Sequence, residues 1–90
     1  MVRINYNCYI LRKITKTSSE SVMIEDNLTL SELIDILTEK YGEKFKKNLI
    51  DSESGRLKLL ILINGISVDD LEHEINNTDK LNIISLTTGG

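Results

Sequence analysis

Few side chains in this chain are of the types that do chemistry. The 90 residues include one histidine, His73, which stands between Glu72 and Glu74, and one cysteine, Cys8. A metal site needs three or four converging ligands, and neighbours in sequence point apart on a strand and diverge on a helix. Cys8 shares one face of an alternating apolar pattern, where a cysteine acts as a small hydrophobe. We therefore predict no catalytic residue, no metal site, a surface His73 and a buried Cys8.

Three lysines lie close together in sequence at Lys44, Lys46 and Lys47. They could contact a partner or the phosphate of a nucleotide, but such a run is more often a solvated helix face, which is the interpretation adopted here. The chain has no glycine-rich phosphate loop, no Ser/His/Asp set and no paired-carboxylate motif. We expect a protein that binds no cofactor and is not itself an enzyme.

The remaining candidate is the carboxylate of Gly90, which follows Gly89 at the end of the sequence. With glycine near 7% of residues, a terminal pair arises by chance in roughly 0.5% of chains. One interpretation is an incidental flexible end. The functional interpretation is that residues without side chains can thread a narrow channel in a partner enzyme and approach a bound nucleotide closely.

Composition restricts the partners of the chain. The net charge is −3 and the pI is near 5.1, whereas nucleic-acid binding requires clustered Lys and Arg. A single cysteine excludes an intramolecular disulfide framework. No segment approaches the ~20 apolar residues that span a bilayer, and residues 1–5 lack the apolar block of a signal peptide. We expect a cytoplasmic protein with no nucleic-acid or membrane partner.

Hydrophobic periodicity predicts the elements of the first half. Residues 2–11 alternate as a half-buried strand, with one face formed by Val2, Ile4, Tyr6, Cys8 and Ile10. Residues 13–20 are predicted to be a loop and 21–25 the returning strand of a hairpin. The main helix is indicated by the three- and four-residue spacing of Leu30, Leu33, Ile34, Leu37 and Tyr41. Thr29 and Glu32 form a capping box before it, and Gly42 ends it.

The second half of the sequence predicts a short helix or a single helical turn over residues 43–50, a loop at 51–55 and a central strand over the apolar run 57–63. Asn64-Gly65 is the preferred pair for a two-residue hairpin turn, and a polar connection leads to a last strand at 81–86. This order is α+β and fits a β-grasp, with a mixed sheet of four to five strands and one main helix packed on one face. The predicted domain spans 1–86, and 87–90 is a flexible tail.

Strand parity predicts an interaction surface on the sheet. If the odd-numbered residues of 57–63 face the helix, Leu60 and Leu62 face outward, and Ile84 and Leu86 share that face with Tyr9 at its border. Contiguous exposed apolar area on a small protein usually marks an interaction site. The alternatives are that residues 43–55 cover this face or that the protein dimerises through it.

The chain resembles the ubiquitin-like sulfur carriers, which include the molybdopterin synthase small subunit, the thiamine sulfur carrier and archaeal small modifier proteins. The resemblance rests on the apolar strand that ends in Asn64-Gly65, on Asp79 before the last strand, and on Gly89-Gly90. The chain departs from the family at Thr78, where many members have glycine, and at Ser85-Leu86, where many molybdopterin-type members have two prolines. The length suits the molybdopterin-type and modifier branches.

The resemblance implies a carboxylate that is activated in trans. An adenylating, ubiquitin-activating-like enzyme would join Gly90 to AMP from ATP, and sulfur from a persulfide would displace AMP to leave a thiocarboxylate. Gly89 and Thr88 would permit threading of the tail. In the molybdopterin branch, a larger synthase subunit would use the sulfur to build the molybdenum or tungsten cofactor. The alternatives are a modifier conjugated through Gly90 to lysines, a carrier for tRNA thiolation, and an interaction module with an incidental Gly-Gly end.

Overall fold

The computed structural model describes residues 1–85, which fold around a mixed sheet of five strands. In chain order the elements are β1 (Val2–Asn7), α1 (Tyr9–Thr15), β2 (Ser19–Val22), β3 (Leu28–Thr29), α2 (Leu30–Tyr41), α3 (Glu43–Leu49), β4 (Leu60–Ile63), β5 (Ile66–Ser67), β6 (Glu74–Ile75) and β7 (Lys80–Ile84). The strand order is β2-β1-β7-β4-β5, with β1 parallel to β7 and the other neighbours antiparallel. The predicted β-grasp is confirmed.

The main helix α2 begins and ends where the sequence predicts. Thr29 Oγ1 accepts a hydrogen bond from the Glu32 N–H at 3.1 Å, and Glu32 Oε1 accepts one from the Thr29 N–H at 2.9 Å. Gly42 follows the helix with φ of 97°, a value that favours glycine. The helix buries the predicted apolar stripe against the sheet, at Leu30, Leu33, Ile34 and Leu37.

A second, two-stranded sheet pairs β3 with β6 and was not predicted. It brings the polar connection of residues 71–79 to the start of α2. There the N–H groups of Leu30 and Ser31 donate to the carbonyls of His73 and Leu71 at 2.8 and 2.9 Å. Because the first N–H groups of a helix have no partner within the helix, this connection completes the N-terminus of α2.

The structure corrects the prediction that residues 2–11 form one strand and 13–20 a loop. The strand β1 ends at Asn7, and α1 follows from Tyr9. Ile10, predicted to face the core, is 41% exposed, whereas Leu11 is fully buried. The chain changes from period two to helical spacing after Cys8, which places Cys8, Leu11 and Thr15 on one buried stripe.

Three other boundaries differ from the prediction. β2 covers Ser19–Val22 instead of 21–25, and β7 ends at Ile84. β4 begins only at Leu60, because Leu57 forms an isolated bridge with Ile50 at the end of α3. The predicted helix over 43–50 is confirmed as α3.

The core lies between the sheet and the helices. Inner-face residues of β1, β4 and β7 meet α2 and the two short helices there. Phe45 of α3 is fully buried, stacks on Tyr41 at 5.8 Å between ring centroids and meets the edge of Tyr6 at 6.1 Å. Within residues 1–85, all three helices contribute to this one core, on one face of the sheet.

None of the helices within residues 1–85 has the length and apolar character that crossing a membrane requires.

Candidate functional site

The last strand, β7, is the element that leads to the C-terminal residues. It lies between β1 and β4 and is hydrogen-bonded on both sides. Leu81 and Ile83 face the core and are 2% exposed. Ile84, the last residue of the strand, is paired with Asn7 on one side and Leu60 on the other. The point at which the chain leaves the sheet is therefore fixed by pairing with two strands.

The start of β7 is fixed by a side-chain link that the sequence reasoning missed. Asn64, at the tight turn after β4, donates from Nδ2 to Asp79 Oδ1 at 2.9 Å and accepts from the Lys80 N–H at 3.0 Å. Asp79 Oδ2 accepts from the Asn76 N–H at 2.8 Å, and Asp79 is 7% exposed. These bonds join the Asn-Gly turn to the connection that precedes the last strand.

The predicted Asn64-Gly65 turn is confirmed, because both residues have positive φ, at 53° and 85°. Both central positions of the type I′ turn require this conformation. Thr78, where the family often has glycine, is not among the described residues with positive φ. Glycine is therefore not required at that position in this chain.

Outward-facing apolar residues form what is here called the outer patch, defined as Leu60, Leu62 and Ile84. All three are half-buried, and they alternate with buried residues of β4 and β7. Leu60 and Ile84 lie directly opposite each other in the pairing of the two strands. The patch therefore reaches the end of β7, from which residues 86–90 follow.

Polar side chains border the outer patch on the β1 side. Asn7 donates a hydrogen bond to the side chain of Asn82. Arg12 of α1 donates to the Tyr6 carbonyl at 2.6 Å and to Asn7 Oδ1 at 3.2 Å. This chain of bonds joins α1, β1 and β7 beside Ile84. Nothing in the strand pattern predicted it, since α1 itself was not predicted.

Tyr9, predicted to border this face, begins α1 two residues after Asn7, the β1 partner of Ile84. It is 75% exposed, and the Lys13 ammonium lies 5.4 Å from its ring centroid. Tyr9 is therefore exposed next to the end of β1 that pairs with Ile84.

Four of the predicted site residues lie outside the described residues. They are Leu86, Thr88, Gly89 and Gly90. The predicted boundary between a domain at 1–86 and a tail at 87–90 falls in the same segment.

Cys8, His73 and the lysines of α3 are placed as predicted. Cys8 is a free thiol that is 5% exposed, and His73 is exposed. Within residues 1–85, no three His, Cys, Asp or Glu residues are grouped so that they could hold a metal ion. The lysines of α3 are exposed.

One half-buried carboxylate cluster remains, at Glu20 of β2. Glu20 accepts hydrogen bonds from the hydroxyls of Tyr6 and Tyr41 and from the Lys40 ammonium at 2.8 Å. Burial alone would raise the pKa of Glu20, but the bonds from Lys40, Tyr41 and Tyr6 outweigh it and lower that pKa. Burial of the Tyr6 hydroxyl raises its pKa most, and the hydrogen bond to Glu20 and the charge of Glu20 raise it further. Every group in the cluster is engaged, so it serves as a structural link between the sheet and α2.

Comparison with known proteins gives a family match over most of the chain. The ThiS family model matches residues 9–90. The comparison with curated proteins finds no match.

Solved structures share the whole fold. A chain of the BexX/CysO complex from Amycolatopsis orientalis has 25% identity and a TM-score of 0.79, with 100% of both chains covered. SAMP1 from Haloferax volcanii has 16% identity and a TM-score of 0.77, covering 99% of this chain and 98% of that one. A putative molybdopterin converting factor subunit 1 from Pyrococcus furiosus has 19% identity and a TM-score of 0.73, with 93% and 94% covered. Because a match over residues 9–90 spans nearly the whole sequence, the chain belongs to the ThiS family of small ubiquitin-like sulfur carriers.

Proposed function

We propose that this chain carries sulfur as a thiocarboxylate on Gly90, the final residue of the sequence. The carboxylate of Gly90 attacks the α-phosphate of ATP in the active site of an adenylating enzyme, and pyrophosphate leaves. A persulfide sulfur then attacks the carbonyl and AMP leaves. A thiol cleaves the resulting sulfur–sulfur bond, which leaves the thiocarboxylate. The partner enzymes supply all the catalytic groups for these steps.

The observation that supports this proposal best is the way β7 is held. Both of its neighbours pair with it as far as Ile84, and its start is tied to the Asn64 turn through Asp79. Five residues, 86–90, follow Ser85, and five extended residues span at most about 17 Å. For a partner that binds the sheet, Gly90 therefore lies no more than about 17 Å from Ser85.

The first step is tested by adenylation. The chain is incubated with its cognate adenylating enzyme and ATP, and exchange of labelled pyrophosphate into ATP is measured. We expect exchange with the full chain and none with a chain that lacks Gly89 and Gly90. Equal exchange with both chains would show that adenylation does not take place at Gly90.

We further propose that the sulfur acceptor lies in the synthesis of the molybdenum or tungsten cofactor. Fold likeness to the putative molybdopterin converting factor subunit supports this branch. The BexX/CysO complex supports binding of a protein of this fold to a second protein. In this branch the second partner is a larger synthase subunit, which receives the tail and takes the sulfur.

Affinity capture separates this branch from the alternatives. Recovery of a larger synthase subunit that converts a molybdopterin precursor in the presence of the thiocarboxylated chain supports it. A ladder of covalent adducts through Gly90 to lysines contradicts it and indicates a protein modifier, as the fold likeness to SAMP1 would allow. Sulfur transfer to tRNA contradicts it in favour of tRNA thiolation.

A further inference from the structure

A cleft of about 460 Å³ lies between α3 and the segment that leads into β4. Three lysines line it, at Lys46, Lys47 and Lys58, together with Ile50 and Ser52. The volume lies in the range of ligand-binding clefts. This feature is here called the basic cleft, and it is separate from the outer patch.

The segment around the basic cleft has the opposite charge to the chain as a whole. Residues 43–58 contain five Lys or Arg and three Asp or Glu, so their net charge is +2, whereas the chain carries −3. A local field of one sign concentrates ligands of the other sign near a cleft.

The acidic groups of the cleft leave part of this positive charge unpaired. Asp51 accepts bonds from the Glu53 N–H and the Ser54 hydroxyl at 3.1 and 3.2 Å. The bond from the Glu53 N–H lowers the pKa of Asp51 most, and the bond from Ser54 and the nearby charge of Lys58 lower it further. The carboxylate is therefore charged but engaged in its own turn. Glu43 also lines the cleft and is exposed.

The three lysines differ in how they are engaged. Lys46 pairs with Asp35 at 3.2 Å. The Lys58 ammonium donates to the Lys47 carbonyl at 3.3 Å, which holds it at the cleft. The Lys47 ammonium forms no ion pair with any of the residues 1–85. Within residues 1–85, neither the Lys47 nor the Lys58 ammonium forms an ion pair, although Lys58 is close enough to Asp51 for its charge to help lower the pKa of that carboxyl group.

We infer that the basic cleft binds an acidic peptide segment of a partner protein. Carboxylates of the segment pair with Lys47 and Lys58, and an apolar side chain between them contacts half-buried Ile50. Half-buried Ile50 in the lining favours a peptide segment, which can offer an apolar side chain, over a compact polyphosphate, which cannot. This binding does not depend on any chemistry at Gly90.

The test is an NMR titration of the ¹⁵N-labelled full chain with the peptide acetyl-Glu-Glu-Leu-Glu-Glu-amide. We expect saturable shifts at residues 46–52 and at Lys58, which weaken as the salt concentration rises. Lys47→Glu should weaken binding about tenfold, because attraction becomes repulsion. Lys44→Glu, which makes the same charge change on the same helix but outside the cleft, should alter affinity less than about twofold.

Three results would overturn the inference. The first is equal weakening by Lys44→Glu and Lys47→Glu in variants that both melt as folded proteins. The second is a set of shifts spread over every lysine without saturation. The third is binding of inorganic pyrophosphate at the cleft when the peptide does not bind, which would indicate a phosphate ligand instead.

Discussion

At the scale of single residues, Glu20 joins two elements through one carboxylate. Its partners are Tyr6 of β1 and the pair Lys40 and Tyr41 at the end of α2. The pKa of Glu20 is lowered from the ordinary 4.5. A carboxylate with a lowered folded pKa adds stability above its unfolded pKa and loses it as the pH falls through the folded pKa.

We therefore predict that Glu20→Gln lowers the free energy of unfolding by about 1–2 kcal/mol at neutral pH. Between pH 7 and about 3, the wild-type chain should lose more stability than the variant, because only the wild type has this carboxylate to protonate. Urea unfolding over a pH series measures both effects. Glu25→Gln, at an exposed glutamate, is the control and should follow the wild type. Identical curves for both variants would contradict the role given to Glu20.

Asp79 provides a second prediction at this scale. Asp79→Ala leaves the Asn76 N–H and the Asn64 amide without their acceptor, which should cost about 1–3 kcal/mol. Asp69→Ala, at an exposed position, should change stability by less than about 0.5 kcal/mol. Chemical denaturation of the two variants measures the difference. Equal effects would show that the Asn64–Asp79 link does not hold the last strand.

At the scale of elements, α1 is where sequence and structure disagree most, and a pair of substitutions tests the outcome. Leu11→Ala should cost about 2–5 kcal/mol, because Leu11 is fully buried. Ile10→Ala should cost less than about 1 kcal/mol, because Ile10 is 41% exposed. Thermal or urea unfolding measures both. The reverse ranking would indicate a strand that continues through Ile10.

Local signals account for the elements that could be predicted. The Thr29–Glu32 capping box, the spacing of the α2 leucines and the Asn64-Gly65 turn each determine a boundary without help from distant residues. α1 lacks such signals, since Cys8 makes no side-chain cap bond and the helix is followed by Lys16 with φ of 64° instead of by glycine. Only the spacing of Cys8, Leu11 and Thr15 could have indicated it.

The elements that the sequence did not predict depend on contacts between residues far apart in the chain. β3 and β6 are two residues each and exist because the connection meets the start of α2. β4 is shortened by the bridge between Ile50 and Leu57. The outer patch could be predicted from parity, because alternation on β4 and β7 is unbroken. The hydrogen bonds that join Arg12, Asn7 and Asn82 could not be predicted, because Arg12 lies on α1, which was itself not predicted.

At the scale of the whole molecule, the sheet has one face packed on helices and one face that bears the outer patch. We predict that Leu60→Asp weakens binding of the cognate adenylating enzyme about tenfold or more, since charge at the centre of an apolar contact is costly. Ile36→Asp, on α2 and 41% exposed, should leave binding unchanged. Calorimetry measures the affinities, and circular dichroism checks the fold. Wild-type binding by folded Leu60→Asp would contradict docking through this face.

We propose that the fold presents Gly90 as the substrate of other enzymes. The most direct measurement is the intact mass of the chain after incubation with ATP, a persulfide donor and its cognate adenylating enzyme. We expect a gain of about 16 Da, the difference between sulfur and oxygen, located in the C-terminal peptide. A chain without Gly89 and Gly90 should gain nothing. An unchanged mass of the full chain, with an adenylating enzyme that is active on another carrier, would show that Gly90 does not carry sulfur.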